Sequence, residues 1–339
     1  MITIVKICFS LFPVLLFLLV LIILDSYKLL KLRSILKTLL IGCCVALLCY
    51  VINKIFFKFS ENPDNITYYF APLIEEFLKA LFPIYLIKQK KIGFLVDGAI
   101  YGFAIGAGFA FVENIYYLHY LLNNNLFIWI IRGFGTAFMH GGTTAIFTMI
   151  TVYLIERFNS EKFVIFLPGY LIAFILHSFF NHFYFSPMIT TVSQLLLLPI
   201  LMMVIFSRSE KGLQNWMETG FITDVMLLEF IKKGKFKETK AGKYLDRFAK
   251  RFPGEVVMDV LCYLRIYLEL SIRSKGFLLM KEAGMEIIID TELKDKVKEL
   301  SYLEKSIGKA GKSILAPLLH LSKKDLWQMS FLKESVNIE

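Results

Sequence analysis

Charged residues are scarce in the first two-thirds of this chain, where apolar residues form long stretches. Asp, Glu, Lys and Arg make up 19% of the 339 residues, hydrophobic residues make up 57%, and most of the charged ones lie after Ser207. A soluble domain interrupts its apolar stretches with charge more often. This distribution excludes a soluble fold for residues 1–207 and separates that apolar region from a charged region, residues 208–339.

Cysteine is also sparse, and its spacing is not that of a metal site or a disulfide framework. Of the five cysteines, four lie inside apolar stretches, and the full set is Cys8, Cys43, Cys44, Cys49 and Cys262. None of the spacings is typical of a zinc site. We interpret the cysteines as small apolar side chains in helix packing.

Seven stretches are long and apolar enough to be membrane-spanning helices, since a span needs about 20 mostly apolar residues. They are residues 4–24, 34–56, 68–87, 94–117, 126–155, 163–183 and 187–206. We expect the first to be retained as a span, because it is too long for the apolar part of a signal peptide and no small-residue cleavage site follows it. The sequence therefore predicts an all-α polytopic bundle of about seven transmembrane helices in the cell membrane, followed by a helical C-terminal region.

The basic residues between the spans indicate the orientation, because Lys and Arg collect in cytoplasmic loops. Clusters of them lie at residues 28–37, 88–91, 157–162 and 208–211. The fourth and sixth connections carry none, and the second carries only Lys54 and Lys58. This alternation predicts an outside N-terminus and a cytoplasmic C-terminal region.

The net charge of +10 raises the question of an anionic partner. Many of the basic residues flank apolar segments, so membrane topology and anionic lipid headgroups explain them better than nucleic acid, which we do not expect as a partner. A strongly basic run lies at residues 232–251. Attraction to the anionic inner leaflet and a solvated helix face explain that run equally well.

Ionisable side chains inside four of the spans mark a candidate functional site, because each costs about 2.5–3.5 kcal/mol to insert into a membrane. In chain order, and together with one asparagine, they are Glu75, Glu76, Lys79, Glu113, His140, His177 and Asn181. Helical spacing lets Lys79 face either neighbouring glutamate, but it can neutralise only one of them well. With the predicted orientation, the groups can converge in the outer half of the bilayer. One such histidine alone is more often a packing residue, but the whole set favours a functional site.

Other polar and small residues in the spans are interpreted as structural. Three ionisable residues nearer the span ends are interpreted as interfacial, namely Asp97, His119 and Arg132. Three glycines recur every four residues along the fourth span and predict a close approach of another helix there, namely Gly98, Gly102 and Gly106.

In their order and on separate spans, the motifs resemble those of the PrsW family of bacterial intramembrane proteases, which is related to the CAAX prenyl endopeptidase superfamily. They read Glu75-Glu76-x-x-Lys79, Phe109-x-x-x-Glu113-Asn114, His140 and His177-x-x-x-Asn181, within a matched core of about residues 68–184. Each motif alone is weak, but four in order are fairly specific. Asn181 departs from the pattern, since relatives often have Asp there.

The resemblance implies hydrolysis of a peptide bond in a membrane protein substrate. In this family the known type of target is an anti-sigma factor of a stress response, cleaved near its extracytoplasmic side. Glu75 would be the general base, and Glu76 would support it or pair with Lys79. The histidines would orient the water or bind a metal, and Asn181 would stabilise the oxyanion.

The metal is a separate question, because the family is often called a metalloprotease. Glu113, His140 and His177 would supply a catalytic Zn²⁺ site with an open position. No His-Glu-x-x-His motif is present in the sequence, however. We therefore expect a metal-free glutamate mechanism, similar to the one proposed for the CAAX relatives, with zinc as the alternative.

Two other functions fit the same residues. In a proton- or ion-coupled transporter, the carboxylates and histidines would relay protons, although the inverted repeats or broken helices of many carriers are not evident in the sequence. In a non-enzymatic membrane sensor or scaffold, the polar groups would be structural. Replacing them would then cost folding and not activity.

Overall fold

The computed structural model describes residues 2–27, 30–121, 125–249, 252–319 and 323–336. Within these ranges the chain is helical and contains no β-strand. It divides into two compact units, Met1–Glu210 and Lys211–Glu339. The boundary lies close to the change in composition after Ser207.

The first unit is built from long apolar helices. They are α1 (Ile2–Leu24), α2 (Leu32–Phe59), α3 (Ala71–Lys88), α4 (Leu95–Leu121), α5 (Leu126–Ile131), α6 (Ala137–Phe158), α7 (Leu167–Asn181) and the first part of α8 (Pro187–Lys232). Among the described residues, six helical segments are long and apolar enough to cross a membrane, with α5 and α6 counted in one segment. This confirms an all-α polytopic membrane bundle.

The third predicted span is present as a helix but is not one of these six. A short α-turn at Pro63–Asn65, a π-helical turn at Ile66–Phe70 and α3 form one helical run over residues 63–88. At 1.5 Å per residue this run is about 39 Å long, which exceeds the ~30 Å hydrocarbon core. Its charged residues Glu76 and Lys79 are only 2% and 0% exposed, so they face protein and not lipid.

One contact indicates that this run returns the chain across the bundle. The hydroxyl of Tyr101, near the start of α4, donates a hydrogen bond to the Ser34 hydroxyl, near the start of α2, at 2.9 Å. The two helices therefore begin at the same face of the unit. Since α2 leads away from that face, residues 63–88 must lead back to it.

Helix α4 lies between α2 and α6, and small residues allow the close contacts. A Cβ atom added to Gly106 would lie 2.0 Å from the carbonyl oxygen of His140 on α6. A Cβ atom added to Gly108 would lie 2.0 Å from the carbonyl oxygen of Leu39 on α2. The close approach predicted from the glycine repeat is present, and it holds the backbone of His140 directly against α4.

Asp97 caps the start of α4. Its Oδ2 atom accepts hydrogen bonds from the backbone N–H groups of Gly93 and Phe94, at 2.9 and 3.0 Å. The residue is 1% exposed. Asp97 therefore acts as a helix-capping carboxylate, which accepts hydrogen bonds from N–H groups that lack partners in the helix.

The second unit is formed by the remainder of α8 together with five further helices. They are α9 (Lys240–Ala249), α10 (Gly254–Glu282), α11 (Thr291–Ser306), α12 (Gly308–Leu319) and α13 (Lys323–Val336). Within this unit, Lys275 of α10 is 2% exposed and donates to Asp224 Oδ2 at 2.6 Å. The unit thus has its own core, with an ion pair buried in it.

Helix α9 presents a basic surface within the second unit. Leu245 is buried, whereas Lys240, Lys243 and Arg247 are exposed. The predicted attraction to anionic headgroups concerns this surface and stays a prediction. The last two residues of the basic run, at 250 and 251, lie outside the described residues.

Candidate active site

Two π-helical turns, Ile66–Phe70 and Arg132–Thr136, come just before the ionisable residues of their helices. A π-turn takes up one residue more than an α-turn, and such turns are frequent at functional sites. At about 100° per residue, Arg132 and His140 would differ in direction by about 80° along a regular α-helix. With one residue taken up by the π-turn the difference falls to about 20°, so the two side chains face the same way.

Glu76 lies at the centre of a buried network. Its Oε1 atom accepts a hydrogen bond from Lys79 Nζ at 2.6 Å and another from Thr143 Oγ1 at 3.1 Å. The same oxygen lies 2.8 Å from Nδ1 of His177. Because a carboxylate only accepts, Nδ1 carries the proton of that ring. Glu76 therefore fixes the positions of Lys79 and His177, and at 2% exposure it is shielded from solvent.

Lys79 connects Glu76 to His140. Its Nζ atom lies 3.2 Å from Nδ1 of His140 and 5.0 Å from the centroid of the Phe109 ring. An ammonium group only donates, so Nδ1 of His140 accepts and Nε2 carries the proton of the neutral ring. That Nε2 atom lies 3.1 Å from Oε2 of Glu113, which accepts from it.

Glu75 lies beside His177 and is partly exposed. Its side chain is 13% exposed, and its Oε2 atom lies 3.8 Å from Nε2 of His177. Its Oε1 atom accepts a hydrogen bond from Asn53 Nδ2 at 2.9 Å. Since Nδ1 of His177 already donates to Glu76, the Nε2 lone pair is left to accept a proton or to bind a metal.

Arg132, interpreted from the sequence as interfacial, belongs to the site. Its Nη2 atom lies 3.3 Å from Oε2 of Glu113, and its Nε atom donates to Asn114 Oδ1 at 3.0 Å. The guanidinium carbon lies 3.7 Å from the centroid of the Tyr117 ring. Asn114 is 1% exposed and donates to the carbonyl oxygen of Ser10 at 2.8 Å. The motif residue Asn114 thus holds Arg132 in place.

Asn181 makes a different contact from the one expected of an oxyanion donor. Its Nδ2 atom donates to the carbonyl oxygen of Thr67 at 3.0 Å. The Ser178 hydroxyl donates to the carbonyl oxygen of Tyr68 at 2.6 Å. Both carbonyls belong to the first π-turn, so these side chains fasten α7 to the helical run that carries the two glutamates. The oxyanion role of Asn181 stays a prediction.

Two neutral residues beside the carboxylates were missed in the sequence. Thr143 donates to Glu76, and Asn53 donates to Glu75. Asn53 stands next to Lys54 near the end of α2 and offered a weak signal, whereas Thr143 is one of several threonines along α6. Neither stands out, because threonine and asparagine also serve in ordinary helix packing in membranes.

The structure brings together five of the residues for which convergence was predicted, and they come from α3, α4, α6 and α7. They are Glu75, Glu76, Glu113, His140 and His177. Lys79 pairs with Glu76 and not with Glu75. The partly exposed carboxylates are Glu75 and Glu113, at 13% and 28% of their side-chain surface. The arrangement leaves these two able to meet a substrate.

Glu75, His140 and His177 form a group that can hold a metal ion. Each offers one ligand atom, and these atoms lie within 4.8 Å of one another. The set predicted from the sequence contained Glu113 where this group has Glu75. Two imidazole nitrogens and one carboxylate oxygen are the donors of many catalytic zinc sites, so the side chains present fit a metal.

The contacts of the two histidines match the surroundings of a metal site as well. One ring nitrogen of His177 is hydrogen-bonded to Glu76, and one ring nitrogen of His140 is hydrogen-bonded to Glu113. Metal-bound histidines usually have their second nitrogen held by such a carboxylate. For His140 to bind through Nδ1, however, Lys79 would have to move from its 3.2 Å contact with that atom.

Comparison with known proteins identifies a family. A family model described as PrsW family intramembrane metalloprotease matches residues 31–207, just over half of the chain. These residues include all the ionisable groups of the site. No curated protein and no solved structure matches the chain.

Proposed function

The chain belongs to the PrsW family of intramembrane metalloproteases, and from this premise we propose that it hydrolyses a peptide bond of a membrane protein at the site around Glu76. The network around this carboxylate carries the proposal. A structural ion pair needs only Glu76 and Lys79. Here Glu76 also holds His177, and Lys79 also contacts His140. The pair therefore positions two histidines beside carboxylates that are open to a substrate.

Glu75 is the general base in this proposal. Its Oε2 atom and Nε2 of His177 are 3.8 Å apart, so one water molecule can donate a hydrogen bond to each. Glu75 takes a proton from that water as the water oxygen attacks the scissile carbonyl carbon. When the C–N bond breaks, the protonated Glu75 returns the proton to the leaving amine.

Glu76 and Lys79 act as positioning residues. Their bonds keep His177 with its proton on Nδ1 and His140 with its proton on Nε2. Glu113, which accepts from His140, forms the far side of the site.

A zinc ion held by Glu75, His140 and His177 would activate the bound water and polarise the scissile carbonyl. The positioning by Glu76, Glu113 and Lys79 described above is needed with or without the metal, because in both cases the imidazole rings must keep their orientation.

The proposed substrate is a single-span membrane protein cleaved on its outer side. An anti-sigma factor of a stress response is the type of target that family membership suggests. Loop charges support an outer-half location of the site, since they favour an outside N-terminus and a cytoplasmic C-terminal region.

Labelling of new protein N-termini in membranes tests the activity even while the substrate is unidentified. Membranes with the wild-type chain are compared with membranes containing Glu75→Gln, with Glu61→Gln as control because Glu61 is an exposed glutamate in a loop. We expect wild type and Glu61→Gln to generate the same new termini and Glu75→Gln to lower their rate of formation about 10²–10⁴-fold. If the new termini form at the same rate in wild-type and Glu75→Gln membranes, the proposal is overturned.

A further inference from the structure

The guanidinium group of Arg132 is held rigidly beside the reacting groups. Asn114 binds its Nε atom, the ring of Tyr117 lies against its face, and Glu113 lies next to its Nη2 atom. Oε2 of Glu113 links this Nη2 atom to the His140 ring. It lies 3.3 Å from Nη2 and 3.1 Å from Nε2 of His140. Because the π-turn directs Arg132 to the same side as His140, the guanidinium lies beside Glu113 in the site.

The Nη2 atom of Arg132 has hydrogen-bonding capacity to spare. It is buried and makes no hydrogen bond among the described residues. Its contact with Glu113 at 3.3 Å is an ion pair without hydrogen-bond geometry. Each Nη atom carries two N–H donors, and buried donors without a partner are rare in folded proteins. An acceptor that arrives with the substrate accounts for this one.

The charge of the site indicates what that acceptor is. Three carboxylates meet here, and one of the two described cations, Lys79, is bonded to Glu76 and 0% exposed. It cannot reach a substrate. The Arg132 side chain is 14% exposed, and its buried Nη2 atom is the donor that still lacks an acceptor. A negative charge that develops on a substrate oxygen beside Glu75 and Glu113 needs such a cation.

We propose that Arg132 is a further catalytic residue that donates an Nη2–H hydrogen bond to the carbonyl oxygen of the scissile peptide as this oxygen becomes negatively charged. This rests on the proposed proteolytic function. The proton stays on Arg132 throughout. When the C–N bond breaks, the oxygen loses its negative charge as the C=O bond re-forms, and the electron pair of the C–N bond leaves with the nitrogen, which takes the proton from Glu75. Arg132 thereby takes the task predicted for Asn181, whose amide donates to Thr67.

The test compares Arg132→Gln with Arg157→Gln, its control. Arg157 lies at the other end of the same helical segment, exposed and bonded to Tyr153. Full-length variants in proteoliposomes are given the protein whose cleavage the N-terminal labelling identified. We expect Arg132→Gln to lower kcat about 10²–10³-fold with KM unchanged, because the donor acts on the transition state and not on the bound substrate. Arg157→Gln should match wild type in both constants.

A second variant covers the case in which Arg132→Gln does not accumulate. Arg132→Lys keeps the charge beside Glu113 but lacks the planar pair of Nη atoms. We expect it to accumulate and unfold as wild type does, with kcat still at least about 10-fold lower, since a lysine cannot reproduce the fixed donor. Lysine that restores kcat fully would show that Arg132 serves only as a charge partner of Glu113 and would overturn the proposal.

The remaining outcomes separate this inference from the proposed function. Raised KM with unchanged kcat in Arg132→Gln would make Arg132 a substrate-binding residue and overturn its role in the transition state. If wild type and Arg132→Gln cleave at the same rate while Glu75→Gln is inactive, the catalytic role of Arg132 is overturned and the proposed function stands. No cleavage by wild type would remove the proposed function itself.

Discussion

Glu75 and Glu76 are neighbours in sequence, yet their environments differ completely. A rotation of about 100° along the helix separates their side chains. It places Glu76 among three hydrogen-bond donors at 2% exposure and leaves Glu75 partly open beside His177. The two residues should therefore respond differently to the same substitution.

Removal of the Glu76 charge should destabilise the protein. In Glu76→Gln, Lys79 stays buried with no anion beside it, and breaking a buried pair in this way costs roughly 3–5 kcal/mol. We expect lower accumulation and a lower unfolding temperature in detergent. The double variant Glu76→Gln with Lys79→Met should recover most of the stability without recovering cleavage, because His177 and His140 then lack their partners. A stable, fully active Glu76→Gln protein would contradict both expectations.

Glu113→Gln should behave in the opposite way. Its side chain is 28% exposed, so the loss of charge costs less in folding. We expect normal accumulation and an unfolding temperature near that of wild type, with cleavage lowered about 10–100-fold because the His140 ring loses the carboxylate that holds its Nε2 proton. The measurements are membrane accumulation and the rate of new N-terminus formation. Unchanged cleavage by the stable variant would take Glu113 out of the mechanism.

Zinc binding distinguishes the metal set predicted from the sequence from the one in the structure. Any zinc ion that purified wild-type protein binds should be lost in His177→Ala. Glu75→Gln should weaken zinc binding more than Glu113→Gln does. Glu113 contacts His140 and is not itself in the metal-binding group, and replacing such a residue typically lowers metal affinity about 10–100-fold. Metal analysis after dialysis measures this independently of activity. Full cleavage after chelation would support the metal-free mechanism expected from the sequence.

The ionisable members of the site could be predicted because a charge inside an apolar helix has few explanations. Thr143 and Asn53 could not, since neutral polar residues are common in membrane helices and only the helix contacts decide which of them meets a carboxylate. Arg132 was visible in the sequence, but its direction was not. A regular α-helix would have turned it away from His140.

At the scale of the helices, the spans were predictable from length and apolarity alone, whereas the two π-turns were not. Nothing in the composition of residues 66–70 or 132–136 distinguishes them from the α-helices that follow. Both are recognised only from their backbone hydrogen bonds, as where the N–H of Ala71 bonds to the carbonyl of Ile66. The helical run over residues 63–88 also differs from a simple span, because Glu76 and Lys79 in it are covered by neighbouring helices.

Gly106 tests whether the contact between α4 and α6 positions His140. A Cβ at this position would lie 2.0 Å from the His140 carbonyl oxygen, and backbone cannot move aside without separating the helices. We expect Gly106→Ala to destabilise the protein by about 1–3 kcal/mol and to lower cleavage in the molecules that fold. Thermal unfolding and cleavage rate measure the two effects.

Gly98→Ala is the matched control on the same helix. The nearest atom to its added Cβ is a Thr148 side-chain carbon at 3.3 Å, a tight contact that a small shift of the side chain relieves. Its effects should be clearly smaller than those of Gly106→Ala. Equal effects at both positions would mean that general helix packing, and not the position of His140, is disturbed.

At the scale of the whole molecule, the family match and the first compact unit end almost together, at residues 207 and 210. The site is therefore contained in the first unit. The second unit has its own buried core and exposed basic residues.

Loop charge and one contact together favour seven crossings over six. Six apolar helices alone would put the basic loop at 28–37 on the opposite side from the basic segments at 88–91, 157–162 and 208–211. Counting residues 63–88 as a crossing places all four on one side, as the positive-inside rule requires. The hydrogen bond between Tyr101 and Ser34 agrees, since it needs α2 and α4 to begin at the same face.

Reporter fusions test this topology. Seven crossings from an outside N-terminus put the chain after Glu210 and the loop at 89–94 in the cytoplasm, and the turn at 60–62 outside. We therefore expect a cytoplasm-active fluorescent reporter to work at the first two positions and an export-dependent phosphatase to work at the third. Six crossings would put the N-terminus and residue 210 on the same side, so a tag at each end, labelled with a membrane-impermeant reagent, separates the two counts.

If export-dependent activity appears after Glu210, the orientation is inverted. The Glu75 site would then lie nearer the cytoplasmic face, and cleavage on the outer side of a substrate would no longer follow.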